Sequence, residues 1–364
     1  MEETKQISKK AKALLIKYVA EIDTRLPAYW DSELVKRFGF NQRQKEVIAT
    51  LLMHSKEHNL RPAKRLRGSF VNYAYQLSGR PIDDKVWRAA MAVELVHTAL
   101  LMHDDFMDRD AVRRGGPTTH KFYEARANGD RHYGEAMAVG VGDAVLCLGF
   151  ELLQSCGFED EKVMAAMKKM LRGIAITGYG QAYDVTLEVE KNWSEDDVIS
   201  LHKAKTGVYT YENPLLIGAI LGGLDEGAKK ILSEYAADGG VAFQLQDDIL
   251  GVFGTEEDTG KSADSDLLQG KCTLLVLKTL ELGNSEQKQA IETVWGKMEA
   301  GRTELTLAKE AIRESGSLEY NRRLAREYAR KAAATAGGLR KFNLNGEAID
   351  YIQGIAEYMV TRKV

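Results

Sequence analysis

Two acidic pairs carry most of the chemistry that this sequence suggests. The first belongs to an Asp-Asp-Phe-Met-Asp run at 104–108, and the second is Asp247-Asp248. On a helix, Asp104 and Asp108 lie on one face because they are four residues apart. Carboxylates gathered after an apolar run repel one another unless a cation lies among them, and oxygen-only ligands suit Mg²⁺ or Mn²⁺. The predicted metal ligands are Asp104, Asp105, Asp108, Asp247 and Asp248.

The alternative interpretation is that both runs are helix ends that emerge into solvent, because short acidic motifs are common on surface helices. Two observations favour a metal site. The helix macrodipole disfavours acidic residues near a helix C-terminus, so stability does not explain their position. The second pair also repeats the arrangement at the end of another apolar stretch. If the two helices pack side by side, the carboxylates face each other across a cavity and can share metal ions around one phosphate group.

Basic residues flank both acidic pairs. Lys64 and Arg67 are three residues apart near a predicted helix start, where free backbone N–H groups also favour anions. The other candidates are His97 two helical turns before the first pair, Arg113 and Arg114 after it, Lys205 with Thr206 at a predicted helix end, and Lys261 and Lys271 around the loop after the second pair. Each alone is explained by a helix cap, a loop lysine or a core histidine. Their joint occurrence indicates a diphosphate ligand.

The elements that must position these residues are helical. Apolar residues recur every three or four positions between Ile7 and Ile22, and similar patterns cover most of the chain. The predicted helices cover 41–58, 63–78, 83–108, 132–156, 159–184, 194–206, 208–222, 226–253, 270–282, 284–299, 303–314, 317–337 and 344–361. Convincing alternating strands are absent from the sequence. The stretches 83–108 and 226–253 are apolar nearly all round, which indicates central helices.

Length and composition predict one all-α domain. The chain has 364 residues, 44% of them hydrophobic, and only five prolines, which would otherwise interrupt helices. No linker or low-complexity stretch marks a domain boundary. We therefore predict a single-domain bundle of about a dozen helices around a deep central cavity. Within 1–364 we expect N-terminal helices at 1–60, a catalytic core at 61–285 and C-terminal helices at 286–364.

Charge, cysteine content and hydropathy exclude several classes of protein. The 50 basic and 53 acidic residues nearly balance, so binding of nucleic acid through bulk positive charge is not expected. Three scattered cysteines argue against a disulfide framework or structural zinc. The first residues lack a signal sequence, and the apolar run at 137–153 is shorter than the ~20 residues of a spanning helix. We expect a cytoplasmic protein without nucleic-acid partner or stable membrane insertion.

From Lys64 to Lys271 the chain resembles the trans-isoprenyl diphosphate synthases, the polyprenyl synthetase family. The resemblance rests on both acidic motifs, Arg113-Arg114-Gly115, Phe243-Gln244 ahead of the second pair, Gly-Gln-x-x-Asp at 180–184 and Lys-Thr-Gly at 205–207, in family order. It implies the isoprenoid synthase fold, a homodimer, and Mg²⁺-dependent condensation of isopentenyl diphosphate with dimethylallyl, geranyl or farnesyl diphosphate. Among the members of the family, which differ in their products, the chain most resembles the synthases of geranylgeranyl diphosphate.

The resemblance also implies roles for individual residues. Two or three Mg²⁺ ions, which Mn²⁺ can replace, would lie on the five aspartates and bridge the allylic diphosphate. The residues expected to bind that diphosphate are Arg113, Lys205, Thr206, Gln244, Lys261 and Lys271. Those expected to bind isopentenyl diphosphate are Lys64, Arg67, His97 and Arg114. The catalytic set consists of the five aspartates and Lys205.

Three positions depart from the family pattern. Gly251 stands where the second motif usually ends in a third aspartate, which weakens one metal site unless Asp258 or water replaces it. Pro62-Ala63 replaces the usual Gly-Gly before Lys64, so backbone contacts of that loop are in doubt. Gly68 stands where proline is usual.

The implied reaction ionises the allylic C–O bond, adds the alkene of isopentenyl diphosphate to the carbocation and then removes a proton, in a site that excludes water. Product length depends on what blocks the growing chain one turn before Asp104. In the family an aromatic residue there stops growth early. Ala99 and Leu100 occupy this place, which implies geranylgeranyl (C20) or longer, and C20 is our prediction.

Three alternatives stay open. A synthase of longer polyprenyl diphosphates fits the same motifs. A class I terpene cyclase shares the fold and the first acidic motif, but its second motif is typically Asn/Asp-x-x-Ser/Thr-x-x-x-Glu, and it has no use for a second diphosphate site. A non-catalytic subunit of a synthase usually lacks one acidic motif, and Gly251 keeps this interpretation open.

Overall fold

The structure is a computed structural model that describes residues 2–36, 39–255 and 264–361, with side chains from residue 6 onward. Lys261, expected to bind the allylic diphosphate, and Asp258 lie outside the described residues. The first half of the described chain contains α1 (Glu2–Leu34), α2 (Gln42–Leu60), α3 (Leu66–Gln76), α4 (Asp84–Met107), β1 (Val112–Arg113), β2 (Gly116–Pro117), α5 (Thr119–Arg126), α6 (Arg131–Gln154) and α7 (Asp160–Glu190).

In the second half, all regular elements among the described residues are helices. It contains α8 (Glu195–His202), a π-helix (Lys203–Glu212), α9 (Asn213–Gly222), α10 (Glu226–Phe253), α11 (Ser265–Gln269), α12 (Leu274–Leu282), α13 (Ser285–Val294), α14 (Arg302–Glu314), α15 (Ser317–Gly337), a 3₁₀-helix (Gly338–Lys341) and α16 (Gly346–Val360). The first internal boundary predicted from the sequence falls at the end of α2, at Leu60, whereas the second, after residue 285, falls just inside α13, which begins at Ser285. The functional division that they describe stays a prediction.

Side-chain caps fix where many of these helices begin. Asp83 accepts hydrogen bonds from two backbone N–H groups in the first turn of α4, and Asp225 accepts one from Ala228 in α10. Asn41 and Ser194 form capping boxes before α2 and α8. Since the first N–H groups of a helix have no partner within it, each cap satisfies a donor that would otherwise need water.

Helices α4 and α10 form the two walls of the interior, as the sequence predicts. They do not pack side by side: α4 packs chiefly against α6, and α10 chiefly against α15 and the π-helix. The π-helix lies especially close to α10, since a Cβ at Gly240 would overlap the backbone of Gly207. The ends of α4 and α10 that carry the acidic pairs therefore face each other across a cavity.

The structure corrects the sequence prediction at three places. The predicted break between 206 and 208 does not exist, because the π-helix joins α8 to α9 without interruption. Helices α5 and α11 were not predicted, since both are too short to show a clear apolar period. A two-stranded hairpin pairs Val112 with Pro117, although no strand was expected. It turns through Arg114 and Gly115, both at positive φ.

Among the described residues, one helix is long and apolar enough to cross a bilayer by length and composition. This helix is α6, and 39% of its most apolar stretch is buried inside the protein. The rest of that stretch lies at or near the protein surface.

Candidate active site

A cavity of about 520 Å³ lies between α4, α6, α7, the π-helix and α10. Its wall contains most of the site residues that the sequence predicts: Lys64, Arg67, His97, Leu100, Asp104, Asp108, Arg113, Lys205, Thr206, Gln244, Asp247, Asp248 and Lys271. Three predicted site residues are not among the described residues of the wall, namely Asp105, Arg114 and Ala99. The charged residues gather at the ends of α4 and α10, whereas Leu100, Leu146 and Ile174 supply apolar surface deeper along their helices.

Asp104 and Asp108 both face the cavity, one helical turn apart, as their spacing predicts. The Asp104 carboxylate lies 3.5 Å from Lys205 Nζ and 3.8 Å from Arg113 Nη2. Asp108 accepts hydrogen bonds from Lys271 Nζ at 2.9 Å and from Gln181 Nε2 at 3.2 Å. Asp104 and Asp108 thus each lie close to at least one cationic side chain.

Asp105 is placed differently from the expectation that it binds metal. It is fully buried behind the wall, where its Oδ1 accepts a 2.7 Å hydrogen bond from Arg113 Nε and its Oδ2 lies 3.9 Å from His58 Nε2. The physical reason is the helix itself, because a residue next to Asp104 points about 100° away around the axis. Asp105 anchors Arg113 instead of facing the cavity.

Arg113 is held from both ends. Burial alone would lower its pKa, but the carboxylates of Asp105, Asp104 and Asp110 raise the pKa of Arg113 above its usual value. Arg61 in turn donates to the Arg113 carbonyl at 2.7 Å, which fixes the hairpin. The guanidinium is therefore a permanent, well-positioned cation beside the first acidic pair.

Two lysines, the partly exposed Lys205 and the buried Lys271, link Asp104 and Asp108 to α7. Lys205 Nζ lies 2.9 Å from Asp184, and Lys271 Nζ lies 2.6 Å from Glu188. Burial alone would raise the pKa of Asp184, but Lys205 and Lys271 hold it below its usual value. Burial alone would likewise lower the pKa of Lys205, but Asp104 and Asp184 raise it. Both ammonium groups stay charged and lie on the cavity wall beside Asp104 and Asp108.

The second pair is held by α10 and the π-helix. Asp248 accepts a 2.9 Å hydrogen bond from Gln244 Nε2, and Thr206 Oγ1 donates to Gln244 Oε1 at 2.7 Å. The other Asp248 oxygen lies 3.4 Å from His202 Nε2. Asp247 is more exposed, 4.0 Å from Lys64 Nζ. The π-helix is what brings Thr206 to this pair, and such wide turns recur at functional sites.

Gly251 is explained by a carboxylate from another helix. A Cβ at Gly251 would overlap the side-chain oxygen of Asp266, the second residue of α11. Asp266 also lines the cavity. The space where the third aspartate of the motif would begin is thus filled by a carboxylate that arrives from α11.

A second group of cations, Lys64 and Arg67, also lies on the cavity wall. Arg67 Nη1 lies 2.9 Å from His97 Nε2, and Arg67 Nη2 donates to Thr210 Oγ1 at 2.6 Å. Burial and the charge of Arg67 lower the pKa of His97 well below its usual value, so the ring is neutral and accepts this hydrogen bond. Arg114 lies nearby but off the cavity wall, and burial lowers the pKa of Arg114 to about 10.

The departure at Gly68 also has a structural reason. The Gly68 N–H donates a 2.9 Å hydrogen bond to the buried Glu94 carboxylate, which a proline could not do. A Cβ at this position would overlap the Tyr18 hydroxyl of α1. The structure gives no comparable reason for Pro62-Ala63.

The two residues predicted to set product length separate in the structure. Leu100 lines the cavity, whereas Ala99 is fully buried in the packed core. Leu146 of α6 and Ile174 of α7 lie on the same wall as Leu100. The apolar part of the cavity is therefore built by three helices. Ala99 packs in the core behind this wall, and its part in setting product length stays a prediction.

Three residues of α7 were given no role in the site, although Gln181 and Asp184 belong to the Gly-Gln-x-x-Asp motif. Gln181 and Asp184 line the cavity, and Glu188 pairs with Lys271 of its wall. All three lie on one face of α7, and their spacing of three, four and seven residues could have revealed this. Asp266 could have been found only with knowledge of the fold, because eighteen positions separate it from Asp248.

The described residues fit Mg²⁺. The donors at the ends of α4 and α10 are carboxylate oxygens, which this ion prefers. Asp248 is 5% exposed and its Oδ2 has no hydrogen-bond partner among the described residues, a costly arrangement unless a cation reaches it. In the same residues no group of three or more such side chains is arranged to hold an ion by itself. Mg²⁺ commonly keeps several waters and takes substrate phosphates as ligands.

Comparison with known proteins agrees with this geometry. The family model for polyprenyl synthetase matches residues 49–312. A geranylgeranyl diphosphate synthase of Methanosarcina mazei is 34% identical over 82% of this chain and 86% of its own length. That of Sulfolobus acidocaldarius is 31% identical over 82% of this chain and 87% of its own length.

A solved structure extends the likeness to the whole fold. The geranylgeranyl pyrophosphate synthase of Corynebacterium glutamicum, complexed with isoprenyl diphosphate and magnesium, superposes with a TM-score of 0.84 at 26% identity. The alignment covers 98% of this chain and 99% of that one. The predicted all-α isoprenoid synthase fold is confirmed. With the family match over most of the chain and two acidic pairs facing each other across a cation-lined cavity, the chain belongs to the polyprenyl synthetase family and is a prenyltransferase.

Proposed function

We propose that this prenyltransferase condenses isopentenyl diphosphate with an allylic diphosphate and makes all-trans geranylgeranyl diphosphate. One observation carries the proposal: two separate groups of cations, around Lys205 and around Arg67, lie on the wall of one cavity that also carries the two acidic pairs. One diphosphate needs only one such group. The geranylgeranyl diphosphate synthases among the relatives support the C20 product.

The first cation group would receive the allylic diphosphate. Asp104, Asp108, Asp247 and Asp248 would hold Mg²⁺, which supplies Lewis-acid stabilisation of the leaving diphosphate when bound. Lys205 and Arg113 face the same place with fixed positive charge. They stabilise the charge that develops on the diphosphate as the allylic C–O bond breaks. The apolar wall beyond them excludes water from the carbocation.

The second group would hold isopentenyl diphosphate with its alkene towards that carbocation. Lys64, Arg67 and neutral His97 face this side of the cavity. The departing diphosphate is our proposed acceptor for the proton that leaves after bond formation, because no side chain among the described residues is placed as an evident base. Arg114 supports this subsite from behind the wall and does not touch the ligand in this proposal.

A product assay tests the function. Purified protein receives Mg²⁺, labelled isopentenyl diphosphate and, in separate reactions, dimethylallyl, geranyl or farnesyl diphosphate. The proposal expects a ladder of alcohols, after phosphatase treatment, that ends at C20. A ladder that ends later supports a longer-chain synthase. No incorporation by folded protein contradicts the proposal, and consumption of geranylgeranyl diphosphate alone then identifies a cyclase.

Leu100→Phe is expected to shorten the main product by one isoprene unit. Leu100 lies on the cavity wall one turn before Asp104, so a larger ring there fills space that the growing chain needs. Chromatography of the alcohols measures the change. Leu100→Met, which nearly conserves volume, is the control and should leave C20 dominant. An unchanged product from Leu100→Phe would place the stop elsewhere.

Leu100 is a better position than Ala99 for testing what limits product length. Because Ala99 is fully buried, a phenylalanine there overpacks the core instead of narrowing the cavity. We expect Ala99→Phe to reduce stability before it changes the product.

Asp266→Asn is expected to raise the Mg²⁺ concentration for half-maximal activity several-fold, by about 1 kcal/mol of lost ion binding. We propose that Asp266 supplies the carboxylate that Gly251 lacks, as its position against Gly251 suggests. Titration of Mg²⁺ in the assay, and of Mn²⁺ followed by electron paramagnetic resonance, measures the change. Asp264→Asn is the matched control, since Asp264 pairs with Lys309. Equal effects of both variants would contradict the assignment.

We also propose a homodimer. Helices α6 and α7 expose apolar side chains, including Val139 on α6 and Met164, Leu171 and Tyr179 on α7, the last 68% exposed. A soluble monomer rarely leaves such a face uncovered, and the family expectation makes a second copy its partner. Light scattering measures the native mass. The cytoplasmic location and the absence of membrane insertion stay predictions.

A further inference from the structure

The turn at Lys64–Gly68 has one side that faces the cavity and one, its back, that is buried in the protein. Lys64 and Arg67 line the cavity, whereas Arg65 and Gly68 are buried on the opposite side. Arg65 adopts a left-handed backbone conformation with φ of 48° directly before α3. This conformation is energetically unfavourable for non-glycine residues, so surrounding contacts must hold it in place.

Glu94 supplies those contacts from α4. Its Oε1 accepts the 2.9 Å hydrogen bond from the Gly68 N–H, and its Oε2 lies 3.5 Å from Arg65 Nη1. The side chain is only 2% exposed and does not line the cavity. A buried carboxylate is costly unless it is paired and hydrogen-bonded, and here both partners belong to the same turn.

The N-terminal helix closes the back of the turn. Asp23 of α1 accepts a 2.9 Å hydrogen bond from Arg65 Nε, and the Tyr18 hydroxyl fills the space beside Gly68. Helix α1 precedes the residues 49–312 that the family model matches. Contacts from outside that region thus reach the residues directly behind the second group of cations.

Glu94 is also linked to the cavity through its own helix. His97 lies three residues further along α4, on the same face, and contacts Arg67. One helix therefore fixes both the ring that accepts from Arg67 and the carboxylate that anchors the turn carrying Arg67. The distance between Arg67 and the His97 ring therefore depends on how the turn packs against α4.

We propose that Glu94 is a positioning residue for the isopentenyl diphosphate subsite: through Gly68 and Arg65 it seats the turn so that Lys64, Arg67 and His97 face one diphosphate. The inference rests on the proposed function. It assigns the effect of Glu94 to geometry and not to its charge. A charge in this position, behind the cations, would by itself weaken anion binding.

Two variants separate geometry from charge. Glu94→Asp keeps the charge but withdraws the carboxylate by one methylene from the Gly68 N–H. Glu94→Gln removes the charge but keeps an oxygen that can accept this hydrogen bond. We expect Glu94→Asp to raise KM for isopentenyl diphosphate by about tenfold and Glu94→Gln by less than about threefold. KM for the allylic substrate should change by less than about twofold in both.

Calorimetric titration with isopentenyl diphosphate alone gives a second readout that needs no turnover. It should reproduce the order of the two variants. Asp23→Ala is the matched control, because it removes a partner of Arg65 on the more exposed side and leaves Gly68 untouched. It should change KM for isopentenyl diphosphate less than Glu94→Asp does.

Several outcomes would overturn the inference. A larger effect of Glu94→Gln than of Glu94→Asp, or tighter binding in Glu94→Gln alone, would assign the role to charge. An equal rise of both KM values together with a lower Tm would show a structural role only. Wild-type protein that neither binds nor condenses isopentenyl diphosphate would overturn the proposed function first, and this inference with it.

Discussion

Replacing Asp104 with alanine is expected to lower kcat by about 10³-fold while helical content stays unchanged. Asp104 faces the cavity, 3.5 Å from Lys205 Nζ and 3.8 Å from Arg113 Nη2, at the place where we propose that a divalent ion binds. Without it, Mg²⁺ loses a ligand at the leaving diphosphate, and two cations lose their common partner. Since the side chain lies at the end of α4 and is a quarter exposed, its removal leaves no cavity in the core.

The measurement is turnover at saturating substrates and Mg²⁺, with circular dichroism on the same samples. Asp143→Ala is the control, because this aspartate lies on α6, is 65% exposed and pairs only with His103 among the described residues. It should keep nearly full activity. Turnover within about threefold of wild type in Asp104→Ala would remove Asp104 from the metal ligands.

Lys205→Met is expected to lower kcat by about 10²-fold. The ammonium lies between Asp184 at 2.9 Å and Asp104 at 3.5 Å, so methionine preserves the length of the side chain and removes the charge. The departing diphosphate then loses a fixed cation. Asp104 and Asp184 are also left without the charge that separates them, which disfavours the ionised state of both.

The pH profile distinguishes this effect from simple loss of binding. Lys205 and Lys271 together hold the pKa of Asp184 below its usual value against the effect of burial. Removal of one lysine raises the pKa of Asp184, so the acidic limb of kcat/KM should move to higher pH. Lys203→Met, an exposed lysine of the same π-helix, should leave both kcat and the profile unchanged. An unmoved acidic limb in Lys205→Met would contradict the role given to the pair.

The long helices could be predicted from the sequence because their apolar periods are uninterrupted. The predicted stretches 83–108, 226–253 and 317–337 agree with α4, α10 and α15 to within one residue at each end. The Lys203–Glu212 segment could not be foreseen as a π-helix, since its extra residue per turn depends on the close contact with Gly240. The hairpin at Val112–Pro117 is too short to show a strand period.

The site was predictable where residues lie close in sequence. Asp104 and Asp108 share a helix face, so their joint position follows from spacing alone. Asp105 illustrates the limit of such a prediction. Its contacts could not be predicted from spacing, because its partners Arg113 and His58 lie on other elements. Whether it contacts metal stays a prediction from the family.

The contact between Gly251 and Asp266 has a consequence for the evolution of this enzyme. An aspartate restored at position 251 would collide with the carboxylate that now fills its place, unless Asp266 moved or changed as well. The two positions are therefore expected to be coupled, so that the effect of an aspartate at position 251 depends on the residue at position 266. Searches that score the second motif as five consecutive positions would rate this sequence as degenerate, although the carboxylate that we propose for the third place comes from a different part of the chain.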